Sequence, residues 1–289
     1  MQLVATLHGW IRSVRPGDEE MASVFEASPA PISLAGGSVT VILLHGFTGS
    51  PAEMALLATA LHAKGYAVEV PLLVGHGTQL NDLLPVHPQQ WVDQVDGVLR
   101  SQLARGQQVV LGGLSMGSIL ALQAALRFPE IRGLMLYSPP IGSRDVRRFF
   151  APLLTRLVKT VAKPPCDYAD PTTVDRLWSY DRYPVICSSL VLRLIAQVRR
   201  QLTAVHQPML VIASRRDNVV TERGVRRLID QAGASSKQLV WLERSSHAIT
   251  ADAEWPLVCE RSLGFLSSLA SPELPARPCN PGDAPVQMY

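Results

Sequence analysis

Short apolar runs alternate with longer amphipathic segments from residue 39 to residue 269. The short runs are rich in Val, Ile and Leu and lack strict alternation, which is typical of strands covered on both faces. We predict strands at 39–44, 66–71, 108–114, 133–138, 208–214 and 237–243, and helices at 51–64, 88–104, 116–128, 221–232 and 252–269. This order predicts an α/β fold in which helices flank a mostly parallel central sheet.

The alternation is interrupted between residues 139 and 207, where apolar positions recur at helical spacing and no convincing strand is visible. We interpret residues 141–204 as a helical cap inserted into an α/β core of residues 39–140 and 205–270. Residues 1–38 form an N-terminal extension, in which the Pro and Gly of "ASPAPISLAGG" allow an edge strand but not a central one. Residues 271–289 form a Pro-rich C-terminal tail.

The stretch "LGGLSMGSIL" places a serine between two glycines where a predicted strand meets a predicted helix. Gly113, Ser115 and Gly117 fit the pattern G-x-S-x-G, in which a sharp turn exposes the serine hydroxyl. Glycines are needed there because neighbouring backbone leaves no room for Cβ atoms. The pentapeptide alone also fits an inert Gly-rich loop, but the flanking strand and helix favour a nucleophile. A phosphate-binding loop is disfavoured, because the GxGxxG register and the P-loop Lys are missing.

A serine nucleophile needs a base, which in this architecture follows the last strand. Of the seven histidines, His247 in "ERSSHAIT" satisfies that order. Asp217 in "SRRDNVV" is the only acid in the loop after strand 208–214, whereas Ser138-Pro139-Pro140 offers no carboxylate. Alone, Asp217 fits a turn or N-cap residue and His247 a loop histidine. Their order after Ser115 favours a Ser-Asp-His triad.

The turn "HGFTGSP" follows the first predicted strand, and its glycines allow a backbone N–H to point at a reacting carbonyl. We assign the oxyanion donors to the backbone N–H groups of Phe47 and Met116. His45 and His76 also lie in Gly-containing turns, but both precede the serine and are out of order for the base. We therefore expect these two histidines to shape loops.

Composition limits the partners of the protein. With 289 residues, 47% hydrophobic content and a mean hydropathy of +0.14, the chain has enough apolar residues for a substantial core. A formal charge of +3 without a strong basic cluster disfavours nucleic-acid binding. The four cysteines are widely spaced without a CxxC pair, so we expect free thiols and a cytoplasmic location. We expect no cofactor, no metal and no stable membrane insertion, and a monomer or homodimer.

The motifs "LLHGFTGSP", "GHG", "GLSMG", "SRRDNVV" and "SSHAIT" together resemble the α/β-hydrolase superfamily, specifically bacterial carboxylesterases related to monoacylglycerol lipases. The resemblance covers residues 39–269. It implies a catalytic triad of Ser115, Asp217 and His247, with Phe47 and Met116 as the oxyanion pair. In one departure, Ser118 replaces a second glycine that many relatives carry after the serine motif. In another, the residues before the first strand outnumber those of many relatives.

The resemblance further implies a serine carboxylic-ester hydrolase that acts on small-molecule acyl esters of short to medium chain, with monoacylglycerols as a subset. We expect Phe47 and the cap residues Phe149, Phe150 and Leu153 to bind the acyl group. Alternatives are a different reaction on the same triad, such as C–C hydrolysis, acyl transfer or perhydrolysis. A ligand-binding, receptor-like protein that keeps the triad is a further alternative.

Overall fold

The computed structural model describes residues 28–142, 159–164 and 167–270. The expected acyl-binding residues Phe149, Phe150 and Leu153 lie outside the described residues, as do the tail 271–289 and residues 1–27 of the extension.

The central sheet has the predicted mostly parallel arrangement. The strands are β1 (Ile32–Leu34), β2 (Val39–Leu44), β3 (Ala67–Val70), β4 (Gln108–Leu114), β5 (Gly133–Tyr137), β6 (Thr160–Ala162), β7 (Arg182–Pro184), β8 (Met209–Ser214) and β9 (Lys237–Leu242). Within the described residues a seven-stranded sheet has the order β1-β3-β2-β4-β5-β8-β9. β1 is antiparallel to β3 at one edge, and the other pairs are parallel. The predicted strands and the α/β fold class are confirmed.

Helices connect these strands as the pattern predicts. They are α1 (Ala55–His62), α2 (Leu80–Leu83), α3 (Pro88–Ala104), α4 (Met116–Ala125), α5 (Thr173–Arg176), α6 (Val185–Arg200), α7 (Glu222–Gln231) and α8 (Trp255–Ala270). A 3₁₀ turn, Pro51–Met54, precedes α1. Gly65 and Gly106 follow α1 and α3 with φ of 88° and 77°, a left-handed conformation that ends helices. No helix in the described ranges is long and apolar enough to cross a membrane.

The core lies on both faces of the sheet, because alternate residues of each strand point to opposite sides. Ile42 and Leu44 of β2 join a cluster with α3, α4 and α6, whereas Val41 and Leu43 join a cluster with α1 and α8. All four are fully buried. This two-sided burial explains why the strand sequences are continuously apolar, and it leaves the strand ends as the place for polar chemistry.

The described part of the insertion 141–204 differs from the prediction in one respect. β6 and β7 form an antiparallel pair, so the expectation that this stretch contains no strand is wrong. Each strand has only three residues, and Val161 and Ala162 are exposed, so no alternating apolar pattern marks them. The long helix α6 buries Val191, Leu194 and Val198 in the same cluster as the sheet. It therefore packs onto the core.

Candidate active site

The serine lies in a sharp turn between β4 and α4. Ser115 has φ of 52° and ψ of −115°, a backbone conformation that is rare for a residue with a side chain. A Cβ atom on Gly113 would lie 2.2 Å from the carbonyl carbon of Gly117, and one on Gly117 would lie 2.1 Å from the carbonyl oxygen of Leu44. The turn therefore needs both glycines, for the steric reason inferred from the sequence.

Ser118 fixes the peptide that follows Ser115. Its buried hydroxyl donates a hydrogen bond to the carbonyl oxygen of Ser115 at 2.6 Å, and its N–H donates to the same oxygen at 3.0 Å. Because the peptide unit is planar, holding this carbonyl also orients the N–H of Met116 on its other side. Ser118, which departs from the family pattern, thereby supports one of the two expected oxyanion donors.

Asp217 and His247 are hydrogen-bonded to each other. Asp217 is 1% exposed, and its Oδ2 lies 2.7 Å from Nδ1 of His247. Its other oxygen, Oδ1, accepts the N–H groups of Val219 and Val220 at 2.7 and 2.9 Å. One oxygen thus stabilises the turn after β8, and the other orients the imidazole. Asp217 is thus a turn residue, whereas the N-cap of α7 is Thr221.

The surroundings of this pair favour a negative charge on Asp217 and a positive charge on His247. Burial alone raises the pKa of Asp217, but His247 and the two backbone N–H donors bring it below its usual value. Burial alone lowers the pKa of His247, but the carboxylates of Asp217, Glu53 and Asp167 bring it above its usual value. The surroundings therefore stabilise the imidazolium that a histidine base becomes when it accepts a proton.

The end of β5 connects the serine turn to the histidine loop. The N–H of Ser115 donates to the carbonyl oxygen of Tyr137 at 2.9 Å. The next residue, Ser138, donates its hydroxyl to the carbonyl oxygen of His247 at 3.0 Å. Ser138 has φ of 44°. This loop has no carboxylate, so no sequence pattern marked the Ser138 hydroxyl that holds the histidine loop.

A buried carboxylate supports the same loop from the other side. Asp252 is fully buried and accepts the N–H groups of Ser246 at 2.6 Å, Ala253 at 2.8 Å, Asp170 at 2.9 Å and Ala169 at 3.2 Å. It thereby joins the residue before His247 to the insertion. No sequence pattern marked Asp252, because its donors are backbone groups, two of them distant in sequence.

The turn after β2 contains the other expected oxyanion donor. His45 holds this turn, since its Nδ1 donates to the carbonyl oxygen of Gly46 at 2.9 Å and its Nε2 accepts the N–H of Leu73 at 3.0 Å. Burial, with the nearby His76, keeps the pKa of His45 well below its usual value. His45 is therefore neutral and structural, as expected.

His76 is also buried, and burial lowers its pKa to about 4. Its ring centroid lies 5.0 Å from that of His45, and its Nδ1 lies 3.1 Å from the carbonyl oxygen of Val74. These contacts place His76 under the turn after β2, in the loop-shaping position that the sequence predicts.

Aromatic rings surround Phe47. Its ring stacks on Tyr183 at 6.2 Å between centroids and meets Trp91 edge-on at 6.3 Å. The insertion approaches the same turn through backbone contacts, since the N–H of Tyr180 donates to the carbonyl oxygen of Thr48 at 3.0 Å. Phe47, one of the expected acyl-binding residues, thus lies among aromatic rings. No sequence motif marks Trp91, Tyr180 or Tyr183, which also lie around this turn.

Comparisons with known proteins cover most of the chain. A family model described as "Serine aminopeptidase, S33" matches residues 38–254. A carboxylesterase of Bacillus subtilis (strain 168) is 27% identical over 246 residues, which cover 84% of this chain and 98% of that protein. A thermostable monoacylglycerol lipase of Bacillus sp. (strain H-257) is 31% identical over 245 residues, which cover 83% of this chain and 95% of that protein.

A solved structure from work on LipS and LipT, two metagenome-derived lipolytic enzymes, superposes with a TM-score of 0.79 at 28% identity and covers 83% of this chain and 98% of that one. The parallel sheet with a serine turn after β4 is that of an α/β hydrolase. The chain belongs to the "Serine aminopeptidase, S33" family of these hydrolases and is similar to carboxylesterases and monoacylglycerol lipases.

Proposed function

We propose that this carboxylic ester hydrolase uses Ser115 as nucleophile, His247 as base and Asp217 as the residue that orients the base. The observation that carries the proposal is the 2.7 Å bond between Asp217 and His247, in a loop that Ser138 attaches to the strand end beside Ser115. The order along the chain, Ser then Asp then His, is the one that α/β hydrolases use.

The mechanism follows from these positions. Nε2 of His247 takes the proton of the Ser115 hydroxyl while Oγ attacks the ester carbonyl carbon. The N–H groups of Phe47 and Met116 stabilise the oxyanion. The imidazolium then protonates the leaving alcohol, which departs and leaves an acyl-enzyme. Water, deprotonated by the same histidine, attacks the acyl carbon; the bond to Ser115 Oγ then breaks, the imidazolium returns its proton to Oγ, and the acid is released. Asp217 stabilises the imidazolium without being protonated.

We assign the substrates to acyl esters of short to medium chain, with monoacylglycerols among them. The stacked rings of Phe47 and Tyr183, both partly exposed beside the serine turn, support an uncharged acyl group. The names of the two Bacillus relatives, a carboxylesterase and a monoacylglycerol lipase, support the ester class. We further propose that Phe149, Phe150 and Leu153 complete this acyl pocket.

The test is a series of p-nitrophenyl esters of increasing acyl length, with monoacylglycerols and aminoacyl p-nitroanilides alongside. Ser115→Ala is expected to lower kcat by about 10⁴-fold or more, because the covalent step is lost. Ser101→Ala, an exposed serine of α3, is the matched control and keeps wild-type rates. Near-normal hydrolysis by Ser115→Ala would refute the mechanism. A preference for the anilides would refute the ester assignment, and transfer of the acyl group to an added alcohol in place of hydrolysis would favour an acyltransferase.

A further inference from the structure

Glu53 is a carboxylate beside the active site that the proposed mechanism does not use. It lies in the 3₁₀ turn Pro51–Met54, directly after the turn that carries Phe47. Its Oε2 accepts the N–H of Gly46 at 2.7 Å. A Cβ atom on Gly49 would lie 2.2 Å from Oε1, so the carboxylate lies directly against that glycine. The side chain therefore fills the inside of the turn 46–49.

Glu53 also contacts the other parts of the site. A Cβ atom on Gly46 would lie 3.1 Å from Oε2 of Glu53 and 3.6 Å from Cβ of Ser115, so the carboxylate and the nucleophile flank the same glycine. The carbonyl oxygen of Glu53 accepts the hydroxyl of Thr250 at 2.6 Å. Thr250 follows His247 closely in the same loop. One residue thus joins the oxyanion turn to the loop of the base.

The charges around the base include Glu53. The groups that act on His247 are the carboxylates of Asp217, Glu53 and Asp167, and those that act on Glu53 are Lys163 and His247. Burial raises the pKa of Glu53 above its usual value, although its backbone donor, Lys163 and His247 act in the opposite direction. Asp217 bonds to Nδ1 of the imidazole, so the ionised form of Glu53 adds a negative charge that is separate from that bond.

We propose that Glu53 is a positioning residue with two effects on the reaction. Its bond to the Gly46 N–H holds the turn from which the Phe47 N–H reaches the oxyanion. In its ionised form, its carboxylate favours the imidazolium form of His247, the form that develops in the transition state. The proposal rests on the proposed triad.

The test uses two variants of the full chain and pH profiles of kcat and kcat/KM with p-nitrophenyl butyrate. Glu53→Gln removes the charge but keeps an oxygen that accepts the Gly46 N–H. The acidic limb of its profile is expected to move to lower pH by roughly 0.5–1 unit, with kcat on the plateau within a few-fold of wild type. Glu53→Ala removes both interactions. It is expected to show the same limb shift and a kcat about 10–100-fold lower, because a displaced donor weakens oxyanion binding.

The matched control is Glu130→Gln, which neutralises an exposed carboxylate in the turn between α4 and β5 and leaves the profile unchanged. Circular dichroism and active-site titration with a fluorophosphonate restrict the comparison to folded, reactive enzyme. An unmoved limb in Glu53→Gln refutes the electrostatic effect, and a plateau kcat in Glu53→Ala equal to that of Glu53→Gln refutes the positioning effect. If one of these two refuting results is obtained while Ser115→Ala is inactive, only this inference fails. If Ser115→Ala is active, the proposed function fails.

Discussion

Asp252 holds the histidine loop by accepting four backbone N–H groups, and Asp252→Asn tests this support without changing side-chain volume. The carboxylate accepts backbone N–H groups on both oxygens, Asp170 and Ala253 on Oδ1 and Ser246 and Ala169 on Oδ2. An asparagine has one carbonyl oxygen and one NH₂ group. Whichever way the amide is turned, its NH₂ group faces two backbone N–H donors. An NH₂ group cannot accept hydrogen bonds from them, so both donors lose their partner.

The cost follows from these contacts. A hydrogen bond to a charged acceptor contributes about 1.5–3 kcal/mol, and Asp252→Asn removes two such bonds and weakens the other two. The free energy of unfolding should therefore fall by roughly 3–5 kcal/mol, and the melting temperature by about 10 °C. The backbone donors lower the pKa of Asp252 against the effect of burial. A lowered pKa gives stability that is present above the unfolded value of about 3.9 and is lost as pH falls through the folded pKa.

The assay is urea unfolding of both proteins at pH 7 and at several acidic pH values. The difference in the free energy of unfolding between the wild type and Asp252→Asn should be constant above about pH 5. It should shrink at lower pH as the wild-type carboxylate protonates. Glu254→Gln is the control, because this partly exposed carboxylate also accepts backbone N–H groups, among them Ser245 at 2.7 Å. It should lose less stability than Asp252→Asn. A loss of under 1 kcal/mol in Asp252→Asn, or a loss that does not depend on pH, would refute this reasoning.

Two further predictions concern the base and the serine turn. Because the carboxylates around His247 outweigh burial and raise its pKa, kcat/KM of the wild type should fall with decreasing pH along a limb centred above pH 6.5; a rate that stays flat to about pH 4 would exclude a histidine base. Gly117→Ala should destabilise the protein by about 1–3 kcal/mol and abolish most activity, because its Cβ overlaps the carbonyl oxygen of Leu44. Gly97→Ala, with open space in helix α3, should instead stabilise by about 0.5–1 kcal/mol in the same unfolding assay.

The parts of the fold that the sequence predicted well are those with local signals. β4 and β8 match the apolar runs to within a residue, because strands buried on both faces must be apolar throughout. α3 matches its prediction at both ends, since it starts at Pro88 and is followed by Gly106 in a left-handed conformation. β6 and β7 were missed because a three-residue strand pair with an exposed face needs no apolar alternation.

The residues of the candidate site also differ in whether a local sequence signal marks them. Ser115, Asp217 and His247 were predicted because each follows a recognisable strand and is of a residue type that such a triad requires. Glu53 and Asp252 were missed, although both are acids in predicted turns or helix starts, because their partners are backbone N–H groups. A backbone donor has no sequence signature, so the contact is visible only once distant segments are brought together.

Three side chains outside the predicted triad also bond to the backbone of the loops around the candidate site. Ser118 holds the peptide of the Met116 N–H, Ser138 holds the carbonyl of His247, and Asp252 holds the N–H before it. Each acts on backbone in a loop at the carboxyl end of a parallel strand, where the sheet itself no longer fixes the chain. Catalysis by oriented dipoles requires that such loops not reorganise during the reaction. Side chains that bond to the backbone of these loops therefore supply, outside the sheet, the rigidity that strand pairing supplies within it.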